Sequence, residues 1–148
     1  MIRPYLPEDK AQLVALLQLN IPQYFAETEE ADFVEYLDKH LEDYFVFEDE
    51  NKILGAGGIN YFYDTNLTRI SWDIVHPEHQ GKGIGRKLLT HRINHIKAIP
   101  SIKTIQVRTS QLVYRFYEKM GFDLELVDKD YWAKGFDLYQ MKMPLNTL

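Results

Sequence analysis

Between residues 68 and 99 the apolar pattern switches from strand-like alternation to a helical period of about 3.6, and a three-glycine loop marks the switch. "TRISWDIV" (68–75) is rich in β-branched and aromatic residues, and Pro77 closes it, as expected of a strand ending in a turn. Beyond "HQGKGIGR" (79–86), Ile84, Leu88, Leu89, Ile93, Ile96 and Ile99 fall mostly on one arc of a helix that Pro100 stops. Arg92 lies inside that arc, so one turn of the helix faces something other than plain core. A strand, a glycine loop and a helix start in this order aim free backbone N–H groups and the positive helix end at one point, which makes an anion site. Gly81, Gly83 and Gly85 suit it because a residue without Cβ tolerates positive φ and admits a bulky anion, while Lys82 and Arg86 add charge. Three glycines alone leave a plain connecting turn equally open.

Two familiar phosphate loops do not fit. The dinucleotide pattern G-x-G-x-x-G would need glycine where Arg86 stands, and the P-loop needs Ser or Thr after its lysine, where Gly83 stands.

The remaining elements follow from periodicity. A short strand at 1–4 is followed by Pro7-Glu8-Asp9 and a helix carrying Leu13, Leu16 and Leu17, and a second helix at 29–41 carries Phe33, Leu37 and Leu41. Strands are expected at 43–49, 52–64, 103–109, 121–128 and 136–145, with glycines in the second of these marking a bulge or a weak point. A helix at 110–120 would take Ser110 as its N-cap. The order β-α-α-β-β-β-α-β-α-β-β makes a mixed α/β fold with helices on both faces of one sheet.

At 148 residues the chain is expected to form one domain spanning 1–148. It has no cysteine, which excludes disulfides, thiolate metal sites and a cysteinyl thioester on the chain itself. "MIRPYLPEDK" lacks an apolar signal region and no apolar run approaches the roughly 18 residues of a membrane span, so a cytoplasmic protein without membrane contact is expected. Charge is uneven: residues 1–74 hold 5 Lys/Arg against 15 Asp/Glu, and residues 75–148 hold 12 against 7. A basic half around a glycine loop suits a polyphosphate ligand, and the acidic stretch at 27–50 suits a cationic second substrate or simply a solvated face. No dense Lys/Arg stripe is present, which disfavours nucleic acid.

Two stretches together resemble the GNAT superfamily of N-acetyltransferases. "VHPEHQGKGIGRKLL" (75–89) is similar to that family's acetyl-CoA signature Q/R-x-x-G-x-G/A, with Gln80, Gly83 and Gly85 in place, and "YRFYEKMGF" (114–122) to its second signature Y-x-K-x-G-F, with Tyr117, Lys119, Gly121 and Phe122 in register. The resemblance covers nearly the whole chain. It implies a mostly antiparallel central sheet in which two parallel strands, here 68–75 and 103–109, splay apart to hold the pantetheine arm of coenzyme A. It implies acetyl-CoA as acyl donor, its pyrophosphate on the loop formed by Gln80, Gly81, Lys82, Gly83, Ile84, Gly85 and Arg86, and its arm paired with backbone near Ile74 and Val75. Ser110 and Val113 stand where many members carry Asn and Ala, and are expected to line the same ligand, Ser110 with shorter reach.

The implied chemistry is transfer to a primary amine of a small molecule in a ternary complex. The attacking amine must lose a proton, and the departing thiolate benefits from gaining one. Tyr117 stands where the family places the tyrosine that hydrogen-bonds or protonates the sulfur; a packed core aromatic is its alternative, and Tyr114 is a competitor. Asp73 is a candidate base, expected on the same strand face as Ser71 and Arg69; solvent exposure or pairing with a basic neighbour is its alternative. His76 and His79 read as turn residues, and His91 and His95 as a solvated pair, since the Glu of H-E-x-x-H is missing. The acceptor pocket is expected from Ile21 to Phe25, the 27–43 helix and Tyr131-Trp132, which favours a cationic acceptor with an apolar body. A homodimer through sheet edges or C-terminal strands is a further implication of the resemblance. Rival readings are a CoA-binding module of weak activity and an acetyltransferase acting on protein N-termini or lysines.

Overall fold

The computed structural model describes residues 1–145. One seven-stranded sheet carries the molecule: β1 (Ile2–Pro4), β2 (Asp43–Asp49), β3 (Lys52–Phe62), β4 (Leu67–Val75), β5 (Thr104–Thr109), β6 (Asp123–Ala133) and β7 (Phe136–Pro144). Their order is β1-β2-β3-β4-β5-β7-β6. Every neighbouring pair is antiparallel except β4 and β5, the two strands that the glycine loop and the long helix connect. A parallel pair needs such a crossover, because a hairpin cannot return the chain in the same direction.

Two cores follow from the alternation of the strands. On one face, α1 (Lys10–Gln18) and α2 (Glu29–Glu35) bring Leu13, Leu16, Leu17 and Phe33 against Tyr44, Val46, Ala56 and Ile74. On the other, α3 (Ile84–Lys97) and α4 (Tyr114–Lys119) bring Ile84, Leu88, Leu89, Ile93, Ile96 and Tyr117 against Ile59, Ile70, Ile105, Val107 and Met141. The helical arc expected for α3 is therefore its buried stripe, and Arg92 in that stripe is 1% exposed.

Three expectations are corrected at their edges. The helix expected at 29–41 is α2 followed by a π-helical turn at Tyr36–His40, whose wider winding carries Tyr36 and Leu37 into the core. The last helix begins at Tyr114 with Val113 as its cap residue, so Ser110 is not its N-cap. Ser110 instead closes the preceding turn: its Oγ accepts from Leu112 N (3.2 Å) and its carbonyl from Val113 N and Tyr114 N. The strand expected at 121–128 runs on to Ala133, because β7 pairs with it as far as Ala133↔Phe136 across an irregular stretch.

Candidate active site

Parallel pairing between β4 and β5 runs from Leu67↔Thr104 to Ile70↔Val107 and stops there, although β4 continues to Val75 and β5 to Thr109. The two strand ends diverge, and a cleft of about 1040 Å³ passes between them.

A bulge in β4 shapes the middle of that cleft. Gly58 pairs with Ser71 and Ala56 with Ile74, so Gly57 alone faces both Trp72 and Asp73. Trp72 takes φ +48°, which a side chain rarely adopts, and Tyr44 Oη donates to its carbonyl at 2.8 Å. The extra residue reverses the alternation. Ser71 donates to Asn60 Oδ1 (2.7 Å), and Trp72 stacks among Phe25, Phe33 and Tyr36 on the α1–α2 face. Asp73 turns to the α3–α4 face, so the expectation that it shares a face with Ser71 and Arg69 is wrong, because strict alternation holds only in an unbulged strand.

There Asp73 meets two partners. Its Oδ1 lies 2.6 Å from Arg92 Nη1, an ion pair at close range that is not aligned as a hydrogen bond, and its Oδ2 accepts from Tyr117 Oη at 2.5 Å. Arg92 donates from Nε to Leu88 O (3.1 Å) and from Nη1 to Gly58 O (3.0 Å), which fixes the guanidinium under the sheet. Burial alone would lower its pKa, but the adjoining carboxylate outweighs burial and the net shift is upward. Tyr117 is 4% exposed and sits edge-on to Phe116 and Phe122. Burial, reinforced by the Asp73 charge, pushes its pKa well above the ordinary phenol value, so it remains a protonated donor. Gly57 makes room for the cluster: a Cβ there would fall onto Asp73 Oδ1 and within 2.6 Å of Arg92 Nη1.

One end of the cleft is the glycine loop. Gly81 (φ +77°) and Gly83 (φ +86°) both lie in the left-handed region, and Gly83 is the N-cap of α3. Lys87 N donates to Gly83 O, so the N–H groups of Ile84, Gly85 and Arg86 precede the first intrahelical bond and carry the positive end of a 14-residue helix. Gly85 lies in the first turn of α3, where a Cβ would make only an ordinary contact with Phe116 at 3.4 Å. Val75, Gln80, Gly81, Gly83, Ile84, Gly85, Arg86, Ser110 and Val113 all line the cleft with Asp73 and Tyr117. Ile74 and Lys82 do not: the Ile74 side chain is buried in the opposite core, leaving only its backbone on this strand, and Lys82 is exposed outside the lining.

The other end is built from side chains: Tyr24, Phe25, Glu29, Tyr36, Glu42, Asn60, Phe62, Arg69, Arg108 and Trp132. Of the acidic stretch, Glu29 and Glu42 reach the cleft, and both carboxylates already accept backbone N–H groups, from Ala26 (2.7 Å) and Tyr61 (3.1 Å). Burial pushes the Glu29 pKa up. Asn20 ties this end to β4, donating to Leu16 O (2.9 Å) and Val75 O (3.2 Å). Tyr131 lies outside the lining and packs edge-on against Trp132. His91 packs on Phe45, His95 lies 3.5 Å from Asp43, and His79 lines the cleft beside His76. Among the described residues, no group of three or more His, Cys, Asp or Glu could hold a metal ion, and no helix is long and apolar enough to cross a membrane.

Sequence reasoning passed over Arg108 and the partner of Asp73, and it placed the bulge no more closely than among the glycines of the 52–64 strand. The trace of that partner was present, since Arg92 interrupts an apolar helical stripe. Arg108 left none, because a charge alternating with apolar residues in a strand is ordinary.

A sheet split between β4 and β5, with a glycine loop and helix start at the mouth of the split, defines a fold shared with known acetyltransferases. The family model for the acetyltransferase (GNAT) domain matches residues 40–124, more than half of the chain, and the chain belongs to the GNAT family. An uncharacterised N-acetyltransferase of Gracilaria tenuistipitata var. liui is 31% identical over 96 residues, 64% of this chain and 50% of that protein. The chain thus spans half the length of this curated relative. An aminoglycoside 6'-N-acetyltransferase complexed with coenzyme A superposes with TM-score 0.80 at 17% identity, over 100% of this chain and 98% of that one. A ribosomal-protein-alanine N-acetyltransferase from Brucella melitensis does so with TM-score 0.75 at 17% identity, over 98% and 99%. At these identities the structural likeness is one of fold.

Proposed function

We propose that the chain transfers an acetyl group from acetyl-CoA to a primary amine of a small molecule, by direct attack within a ternary complex. The observation that carries this reading is the Tyr117–Asp73 hydrogen bond, which puts a proton donor and a proton acceptor in one cleft with the glycine loop. Family membership and the CoA-bound structural neighbour support acetyl-CoA as donor.

The residues present fit that ligand. Open space at Gly81 and Gly83, the unpaired N–H groups at the start of α3 and the Arg86 side chain offer a cradle for a pyrophosphate. The diverging edges of β4 and β5, including the Ile74 and Val75 backbone, leave a slot for an extended amide chain. Ser110 and Val113 border it. Lys82, exposed at the rim, adds only long-range charge. When bound, acetyl-CoA supplies an activated thioester carbonyl and a thiol leaving group.

Tyr117 is the donor to that sulfur, because its phenol is protonated at any ordinary pH. Asp73, ion-paired with Arg92, is the acceptor for the amine proton, and its hydrogen bond with Tyr117 lets it return that proton to the phenol. The proton lost by the amine thus balances the one gained by the thiolate. The acceptor amine is cationic in solution and must reach the site neutral. With no cysteine among the 148 residues, no cysteinyl acyl intermediate is available.

A thermal-shift series with acetyl-CoA, CoA and NADH tests the reading, because a ligand of the native state raises stability by RT ln(1 + [L]/Kd). Shifts with both CoA species and none with NADH are expected. No shift with either CoA species would refute it.

A further inference from the structure

We propose that the acceptor is a small amino carboxylate whose carboxylate group is held by Arg69 and Arg108. This rests on the cleft being an amine-acetylating site, and it names the chemistry of the second substrate.

Arg69 on β4 pairs in register with Gln106 on β5, and Arg108 follows two residues later on the same face. Ile70 and Val107, the alternate positions, enter the α3-side core, so both guanidiniums stand on the opposite face, and both line the cleft. Arg69 Nε donates to Gln106 Oε1 (2.8 Å), and its guanidinium lies 4.8 Å over Phe62. Arg108 lies 4.9 Å over Tyr131 and 5.7 Å from Trp132, with its Nε buried and lacking any acceptor.

Among the described residues neither arginine has a counter-ion. Among the described residues no carboxylate comes within 4.0 Å of Arg69 or Arg108, whereas the other inward-turned arginines are matched, Arg3 by Asp9 and Glu48 and Arg92 by Asp73. The chain has 22 acidic residues against 17 Lys and Arg, so a missing partner does not reflect any shortage of acid. Burial lowers the Arg69 pKa and the neighbouring Arg108 charge lowers it further, the behaviour of two like charges that an anion would relieve. Stacking on aromatic faces leaves the N–H edges of a guanidinium free, and those edges match the planar fork of a carboxylate. The phosphates of the donor have their own cradle at the glycine loop, at the far end of β4.

The test is a CoA-release assay over a matched panel: free amino acids, their carboxamides, the corresponding decarboxylated amines and aminoalkyl phosphates. Amino carboxylates are expected to exceed their carboxamides in kcat/KM by roughly 100-fold, the scale of a charge-assisted bidentate contact. Arg108→Gln should raise the amino carboxylate KM by about 10- to 100-fold while the acetyl-CoA KM holds, and Arg108→Lys should fall between. Equal turnover of carboxamides or plain amines, or a preference for aminoalkyl phosphates, would overturn the carboxylate assignment and leave acetyl transfer standing. A raised acetyl-CoA KM in Arg108→Gln would give the arginine to the donor instead. If no amine releases CoA, calorimetric titration of the CoA-bound protein with the same amino acids decides, and absence of binding overturns the proposal. Failure of the wild type to bind acetyl-CoA would instead refute the acetyl-transfer reading.

Discussion

The two ends of the cleft are made of different material. The glycine-loop end is backbone: two glycines at positive φ, a helix start and two strand edges. The opposite end, proposed to take the acceptor, is side chain: arginines stacked on rings, a tryptophan from the β4 bulge and a glutamate used to hold its own loop. A backbone site depends on a local run of residues, so changes there act through conformation. A side-chain site depends on residues from distant segments, so changes there act through charge and shape and can alter specificity without touching the donor.

The sharpest way to break this division is at the cluster between the ends. Arg92→Met should leave the partly buried Asp73 without its counter-charge and cost about 3 kcal/mol in urea unfolding, while adding Asp73→Asn should recover most of the stability and none of the turnover. A double variant no more stable than the single one would mean that Arg92 acts by packing alone. Next in size, Tyr117→Phe should lower turnover on the order of 100-fold with acetyl-CoA affinity held within about twofold, as the role proposed for the phenol at the leaving group requires. Gly83→Ala should weaken acetyl-CoA binding by roughly tenfold, because a Cβ meets nothing there and the cost is that of a left-handed backbone, on the order of 1 kcal/mol. The acceptor KM should not move. Smallest of all, Lys82→Ala should change either constant by less than about threefold at physiological salt, because the side chain is exposed outside the lining.

Alkaline pH separates catalysis from stability. Tyr36, Tyr44 and Tyr117 all have folded pKa values raised first by burial. A phenol in the unfolded chain ionises near about 10. The folded state therefore holds more protons above that pH, so stability should be flat up to it and fall as pH rises toward the folded values. Turnover should rise as the amine deprotonates and show no descending limb from Tyr117 below about pH 10. Unfolding curves and kcat measured across pH 7–11 check both.

The contrast also explains what was legible beforehand. A glycine loop between a strand and a helix announces itself, because positive φ and close approach demand glycine at adjacent positions; the element order was legible for the same local reasons. The β4 bulge was legible only as a bulge or weak point somewhere among the glycines of the 52–64 strand. It arises where Gly57 faces two residues, a pairing fact spread over two strands, and it alone decides which way Asp73 turns. The alternative of a basic partner for Asp73 is what the structure contains, in Arg92 on α3. Arg69 was legible only as a neighbour of Ser71 on one strand face, and Arg108 not at all, because only the stopped pairing at Ile70↔Val107 turns that face into a cleft wall. The start of α4 was misplaced by a serine that caps a turn as readily as a helix.

The most direct measurement is the release of CoA by wild type and Tyr117→Phe, with acetyl-CoA affinity determined on the same preparations. Turnover falling on the order of 100-fold at unchanged affinity is expected of a buried phenol that serves the departing sulfur. Equal turnover in the two proteins would contradict it and leave the Tyr117–Asp73 contact a structural one.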